Sequence, residues 1–217
     1  MLILKGICGR SLSVIAKKVM TWQSLLAFFM LLLVACYHAH HVPGTAPVYY
    51  SDGRAVSLLP TAAMTLGIDM PQRIEGKFEK PDGSSDSFEA DSWVRANDSV
   101  LSITLFTGFG TTLGEITYAR DSVKAESSVM NVAKFKTEYL VADFQICFYP
   151  FEALRKNFEQ AGFAFTENRP RAGNGDFVRT LSENGKVILT ATKKGSELTL
   201  VNELRRYSYH ITLGEEN

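Results

Sequence analysis

The chain has 217 residues, 46% of them hydrophobic and 21% charged, with Lys+Arg and Asp+Glu both at 23. That balance excludes a disordered chain and a polytopic membrane protein, and a neutral chain is a poor nucleic-acid binder. Three cysteines cannot build a disulfide framework.

The charges are unevenly spread. Residues 1 to 35 carry Lys5, Arg10, Lys17 and Lys18 and no acid, leaving 19 basic and 23 acidic residues, a net of −4, for the rest. A basic start followed by the uncharged run Val19–Ala35 has the form of an export signal. The run has 17 residues, short of the ~20 that a transmembrane helix needs. Met1 is the preferred start, because a start at Met20 would lack the basic residues.

Leu33-Val34-Ala35-Cys36 closes the run in the form of a bacterial lipobox. The thioether to diacylglycerol requires the Cys36 sulfur, and cleavage requires a small residue at Ala35. Several acyl chains then give stable anchoring, since each buried CH₂ adds ~0.8 kcal/mol. Tyr37 follows where an Asp would retain a lipoprotein in the inner membrane, which implies sorting to the outer membrane. Residues 1–35 are therefore expected to be cut off and Cys36 lipidated.

Residues 36–72 are expected to be the lipidated Cys and a tether, with Pro43, Pro47, Pro60 and Pro71 and no sustained periodicity. Leu58, Leu59, Met64 and Leu66 suggest that its second half packs on the domain. His38, His40 and His41 lack a carboxylate nearby, so they read as part of a solvated tether and no metal site is expected.

From Arg73 the period is two. Ile74, Gly76 and Phe78 share a face, as do Phe88, Ala90 and Val94, then Leu101, Ile103 and Leu105, then Ile116 and Tyr118. This predicts half-buried antiparallel strands. Leu140, Val141, Phe144, Cys147 and Phe148 change to a helical period. Pro150 opens a second helix with Phe151, Leu154 and Phe158 on one face, and Gly162 ends it. Strands return at Phe163, Phe177, Val187, Leu198 and Tyr207. Asn184-Gly185 predicts a type I′ hairpin. About nine strands around one helical insertion predict an α+β fold, mainly antiparallel β, with a curled sheet and two helices on its concave face over residues 73–217.

No sequence motif supplies catalysis. Gly108-Phe109-Gly110-Thr111-Thr112-Leu113-Gly114 has the wrong spacing for a dinucleotide loop and precedes a strand, so it reads as a hairpin connection. His210 is out of phase with Tyr209 and Ile211 and is expected to face solvent. Asp143 and Gln145 sit in an apolar helix. They read as hydrogen-bonded structural groups or solvent-facing side chains, or as a carboxylate with a shifted pKa. Cys147 reads as a small core residue. Phe106, Phe144, Phe148, Phe151, Leu154 and Phe158 are the candidates for lining an acyl cavity, against the alternative of an ordinary packed core. No catalytic residue, metal or cofactor is expected.

The run Glu138 to Leu154 resembles the "Y-L-A-D-x-Q-x-x-x-W-P-x-x-x-L" core of bacterial domain-of-unknown-function family 3261, with Tyr149 where the family usually has Trp. Gly108 to Leu113, Arg179 to Gly185, and Asn202 with Tyr207 to Ile211 match its other segments in order. The resemblance implies a LolA/LolB-like open half-barrel that binds acyl chains. It also implies an association with aryl polyene pigment clusters. The implied function is a non-enzymatic outer-membrane lipoprotein that faces the periplasm. It would be held by its acyl anchor, would receive an acylated or lipid-like cargo from a LolA-like carrier, and would not bind nucleic acid. The alternatives are an envelope scaffold with a filled core and a lipid-modifying enzyme using Asp143 or His210.

Overall fold

The computed structural model describes residues 38–42 as backbone and 47–51, 53–129, 136–170 and 175–215 with their side chains. The export signal, Ala35, Cys36, Tyr37 and the histidine side chains at 38, 40 and 41 lie outside the described residues.

Thirteen strands, two α-helices and a single 3-10 turn at Thr61–Ala63 are described. The strands are β1 (His38–Val42), β2 (Pro47–Ser51), β3 (Arg54–Ser57), β4 (Ile68–Glu79), β5 (Ser85–Ala96), β6 (Leu101–Phe106), β7 (Thr112–Ala119) and β8 (Ser122–Ser127). Helices α1 (Thr137–Phe148) and α2 (Phe151–Gln160) follow. The chain closes with β9 (Ala164–Asn168), β10 (Phe177–Glu183), β11 (Lys186–Lys194), β12 (Glu197–Asn202) and β13 (Tyr207–Leu213).

Eleven strands form one antiparallel sheet in the order β1-β8-β7-β6-β5-β4-β13-β12-β11-β10-β9. It is two meanders joined where the last strand pairs with β4, Tyr207 opposite Phe78 and Ile211 opposite Ile74. The sheet does not close, since β1 and β9 are its edges. Alternation sets the faces: Leu198, Leu200 and Asn202 are buried while Thr199 and Val201 are half-buried. The predicted half-barrel with helices on its concave face is what the chain forms.

The chain leaves β8 near one edge and enters β9 at the other. The two helices make that crossing over the concave face. Helix α1 is buried on nearly every side, as a helix apolar all round must be. It lies between the sheet and the β2–β3 hairpin. Gln145 grips the hairpin segment: its Nε2 donates to the Leu59 carbonyl at 2.7 Å, and its Oε1 accepts from the Leu59 N–H at 2.9 Å.

Residues 47–72 differ from the expected tether. Val48, Tyr50, Val56 and Leu58 are buried against the helices, and Tyr50 meets the Phe158 ring edge-on at 5.4 Å. Short apolar alternation, interrupted by turns and prolines, hid these strands. Leu66 is 77% exposed and does not pack. Pro71 sits inside β4 at the end of its pairing with β13, where its carbonyl accepts from the Gly214 N–H at 2.9 Å and its missing N–H falls at the end of the β13 strand.

Strand β8 is also absent from the sequence reading, because its buried face holds only Val123, Ala125 and the polar Ser127. Its turn from β7 places Arg120 and Asp121 at φ 49° and 59°, a two-residue turn without the usual glycine. Asn184 and Gly185, at φ 51° and 79°, make the turn that was predicted.

Arg179 of β10 pins the end of α1. Its Nη1 donates to the carbonyls of Ile146 at 2.6 Å and Tyr149 at 3.0 Å, and its Nε donates to Glu167 Oε2 at 2.7 Å. A cation there satisfies orphan carbonyls and the negative end of the helix dipole. Burial raises the Glu167 pKa, but Arg179 and Arg169 outweigh it and hold the carboxyl below its ordinary value. Both partners are deeply buried, at 5% and 7% side-chain exposure. Arg179→Met is expected to lower unfolding stability by about 2–4 kcal/mol, because it leaves the Ile146 and Tyr149 carbonyls and Glu167 Oε2 without their buried donor and only the more exposed Arg169 on Glu167. Urea denaturation measures this, and a loss below about 1 kcal/mol would contradict the pinning role.

Candidate functional site

The concave face is filled on one side and hollow on the other. Under α2, Phe151, Phe158, Phe163 and Phe165 pack with Tyr50, with Phe158 and Phe165 centroids 4.9 Å apart. Under α1, toward β4–β8 and β13, a cavity of about 690 Å³ remains. That size falls within the ~300–1,000 Å³ typical of ligand pockets.

Local sequence explains the hollow. Ala90, Gly114 and Ala125 are the small floor residues beneath the helix. Gly114 cannot be enlarged, since a Cβ there would lie 2.9 Å from the Glu126 carbonyl. Ile74, Ile103, Leu105 and Ile116 complete an apolar floor. Helix α1 supplies the roof through Leu140, Phe144, Cys147 and Phe148, spaced as one helical face. Phe144 and Phe148 stack at 4.6 Å.

The opening lies where β5 overhangs β6. Strand β6 pairs only with Asp91 to Ala96, which leaves Ser85 to Ala90 of β5 beyond it. Phe78 and Phe88 line the cavity there and are 37% and 39% exposed. Their rings stack at 5.7 Å, and Tyr209 meets both edge-on. Gly76 makes this possible, because the Phe88 ring occupies the place of its absent Cβ.

One wall is polar. Asp143 of α1 accepts a hydrogen bond from the Tyr207 hydroxyl at 2.6 Å, and Tyr207 accepts one from Asn202 Nδ2 at 3.2 Å. One helical turn earlier, Tyr139 OH accepts from Arg205 Nη2 at 2.6 Å, and the guanidinium lies 4.0 Å over the Tyr139 ring. Arg205 Nη2 also donates to the Tyr49 carbonyl at 2.6 Å. Burial pushes the Asp143 carboxyl up to about 7, while the Tyr207 hydrogen bond and Arg205 pull it down. Burial and the nearby Asp143 push Tyr207 far above its ordinary value. Burial raises the Cys147 thiol, a free cysteine, well above its ordinary value.

Of the expected lining residues, Phe144 and Phe148 are on the cavity wall. Phe151, Leu154 and Phe158 are not. They face the filled side, because α2 lies over β9 and the hairpin. Phe106 is half-buried at the end of β6 and also lies off the wall. Gln145 is structural. His210 is exposed and contacts Glu197 Oε2 at 3.0 Å, on the face of β13 opposite Tyr209. Asp143 and His210 therefore do not meet. Among the described residues no cluster of metal ligands occurs. Sequence reasoning missed Arg205, whose position in a turn gives no periodic signal, and Tyr139. Tyr207 is legible in the sequence as a residue of the last strand and of the closing "N-x-x-x-x-Y" segment, but not as the partner of Asp143.

The sequence profile of a family of proteins of unknown function, DUF3261, matches residues 70–216. The chain belongs to DUF3261. Among curated proteins none matches it. Two solved structures are similar to this DUF3261 chain. One is a LolA superfamily protein from Nitrosomonas europaea, with 7% identity, TM-score 0.32, 72% of this chain and 88% of that one covered. The other is a putative outer membrane lipoprotein-sorting protein domain from Vibrio parahaemolyticus, with 10% identity, TM-score 0.27, and 73% and 88% covered.

The buried Asp143 makes the stability of this DUF3261 protein pH-dependent. Below the ordinary value of 3.8 both folded and unfolded chains hold the proton. Between 3.8 and about 7 only the folded chain holds it, so stability falls as pH rises through that window and the cost stays in full above it. Asp143→Asn removes the charge and keeps the acceptor for Tyr207. Its Tm is expected to match wild type near pH 4 and to exceed it by about 5 °C or more at pH 8.5. A difference that does not change with pH would refute the assignment.

Proposed function

We propose that this protein is a lipid-anchored, non-enzymatic carrier at the periplasmic face of the outer membrane. Its half-barrel would receive an acylated lipoprotein or an aryl-polyene-type lipid from a LolA-like periplasmic carrier. The observation that carries the reading is the cavity of about 690 Å³ between α1 and the sheet. Its floor and roof are apolar, and aromatic rings flank its opening. An acyl chain there would exchange water for hydrocarbon contact, worth ~25 cal/mol per Å² of apolar surface buried. Transfer then needs only a steeper burial gradient at each handover, with no covalent step.

The anchoring half of the proposal rests on Cys36 and Tyr37 in the lipobox context. Among the described residues no helix is long and apolar enough to cross a membrane. A scaffold role expects a filled interior, and the hollow under α1 argues against it.

Native mass spectrometry of the full chain purified from its own cells is expected to show a bound species of acyl-lipid mass. Ala90→Trp fills the floor of the cavity and is expected to abolish that species while leaving the far-UV spectrum unchanged. A wild-type protein that carries no such species, and does not bind added diacylglycerol, would overturn the carrier reading. Cys36→Ser is expected to move the protein from the membrane fraction to the soluble one.

A further inference from the structure

The strands alternate in direction, so the half-barrel has two ends, and the ends differ. At one end lie the β4–β5 and β6–β7 hairpins, Ser127 at the close of β8, the Asn184-Gly185 turn and the β12–β13 connection. The cavity opens at this end, beside Phe78 and Phe88. Eight large apolar side chains are exposed among the described residues, and Phe78, Phe88, Phe109, Val129, Val187 and Leu204 lie here. Of the other two, Tyr49 belongs to the β2–β3 hairpin, and Leu66 lies at the opposite end, before the pair of Ile68 with Ala96. Exposed apolar residues scattered singly are ordinary, but their collection at one end marks a contact surface.

Phe109 stands out, 99% exposed at the tip of the β6–β7 hairpin. Two features suit that tip to apolar surroundings. No charged residue occurs from Ser99 to Gly114. The tip also satisfies four of its N–H groups within itself. The Thr107 N–H donates to the Thr111 carbonyl and the Gly110 N–H to the Thr107 carbonyl, each at 2.8 Å. The Phe109 and Thr111 N–H groups donate to Thr107 Oγ1 at 3.3 and 3.1 Å. Backbone groups that already have partners leave water at little cost.

The chain also enters the sheet at this end. Strand β1 pairs with β8 so that His38 lies opposite Ser127 and Val42 opposite Val123. Cys36 is two residues before His38 in the sequence, and two residues of chain span at most about 7 Å. That length leaves no room for a free tether, so a lipid on Cys36 would attach this end of the sheet to a bilayer.

We propose that this end of the half-barrel is a bilayer-contacting surface, with Phe109 set into the boundary of headgroups and acyl chains and the cavity mouth opening onto the membrane. The inference rests on the membrane-anchored part of the proposed function and adds the orientation in which cargo is delivered. A cargo chain passes beside Phe78 and Phe88 from one apolar environment to another. It is never exposed to water, where each Å² of its surface would cost ~25 cal/mol. The anchor and the Phe109 hairpin are two points of attachment at the same end, so they fix the tilt of the domain as well as its location.

The test compares the two ends of the half-barrel. Phe109→Trp and Leu66→Trp are made separately in the full chain, which is reconstituted into vesicles of phosphatidylethanolamine and phosphatidylglycerol with or without brominated phosphatidylcholine. Both positions are exposed, so neither substitution disturbs the core, and the native tryptophans give the same background in both. Emission from position 109 is expected to shift to the blue and to be quenched by the bromines, and emission from position 66 to stay as in water. Phe109→Ser is expected to speed exchange of the protein between vesicles about tenfold, and Leu66→Ser to leave it unchanged. Water-like emission at position 109 would overturn the bilayer contact and assign the exposed end to a protein partner. Quenching at position 66 in its place would overturn the orientation. Quenching at position 109 in a protein that binds no added diacylglycerol would uphold the bilayer contact and overturn the carrier reading. A full chain that does not stay with the vesicles would overturn both.

Discussion

The constraint on which the fold depends is topological. A chain that ends one meander near one edge of an open sheet and begins the next at the opposite edge must cross the sheet. Crossing the convex face would leave the concave side chains in water. The chain crosses the concave face, and α1 and α2 become the contents of the half-barrel. The position of α1 then decides what is packed and what is hollow.

Burying α1 is favourable only because its polar groups are paired at three points. Arg179 caps its C-terminal carbonyls, Gln145 holds the Leu59 backbone, and Tyr139 with Asp143 joins the β12–β13 connection. A helix held at both ends and in the middle can span a gap without collapsing into it. The small floor residues Ala90, Gly114 and Ala125 keep that gap open, where a packed core would close it with larger side chains.

The residues that carry the family resemblance serve mainly this architecture. Within Glu138 to Leu154, Tyr139, Asp143 and Gln145 are the polar contacts of α1. Arg179 begins a second segment and caps the helix. Asn202 and Tyr207 from the closing segment complete the network around Asp143. Motifs far apart in sequence thus describe one assembly, a helix locked over a hollow sheet. Asp143 is held in that assembly through Oδ2, while its buried Oδ1 has no partner among the described residues.

The sequence by itself determined the fold class, because alternation with period two and a single helical interruption are local signals that survive in each segment. It also determined the Asn184-Gly185 turn and the solvent-facing His210. It did not disclose β1–β3 or β8, whose runs are short, nor the side of the sheet on which each phenylalanine lies. Phe144 and Phe158 carry equal apolar signals, yet one roofs a cavity and the other fills a core. Only the tertiary structure decided that difference, because it depends on the volume of the residues opposite, and those residues come from strands up to several dozen positions away. The pairing of Arg205 with Tyr139, and the orphaned oxygen of Asp143, were decided the same way, by where a turn and a helix meet once the sheet has curled.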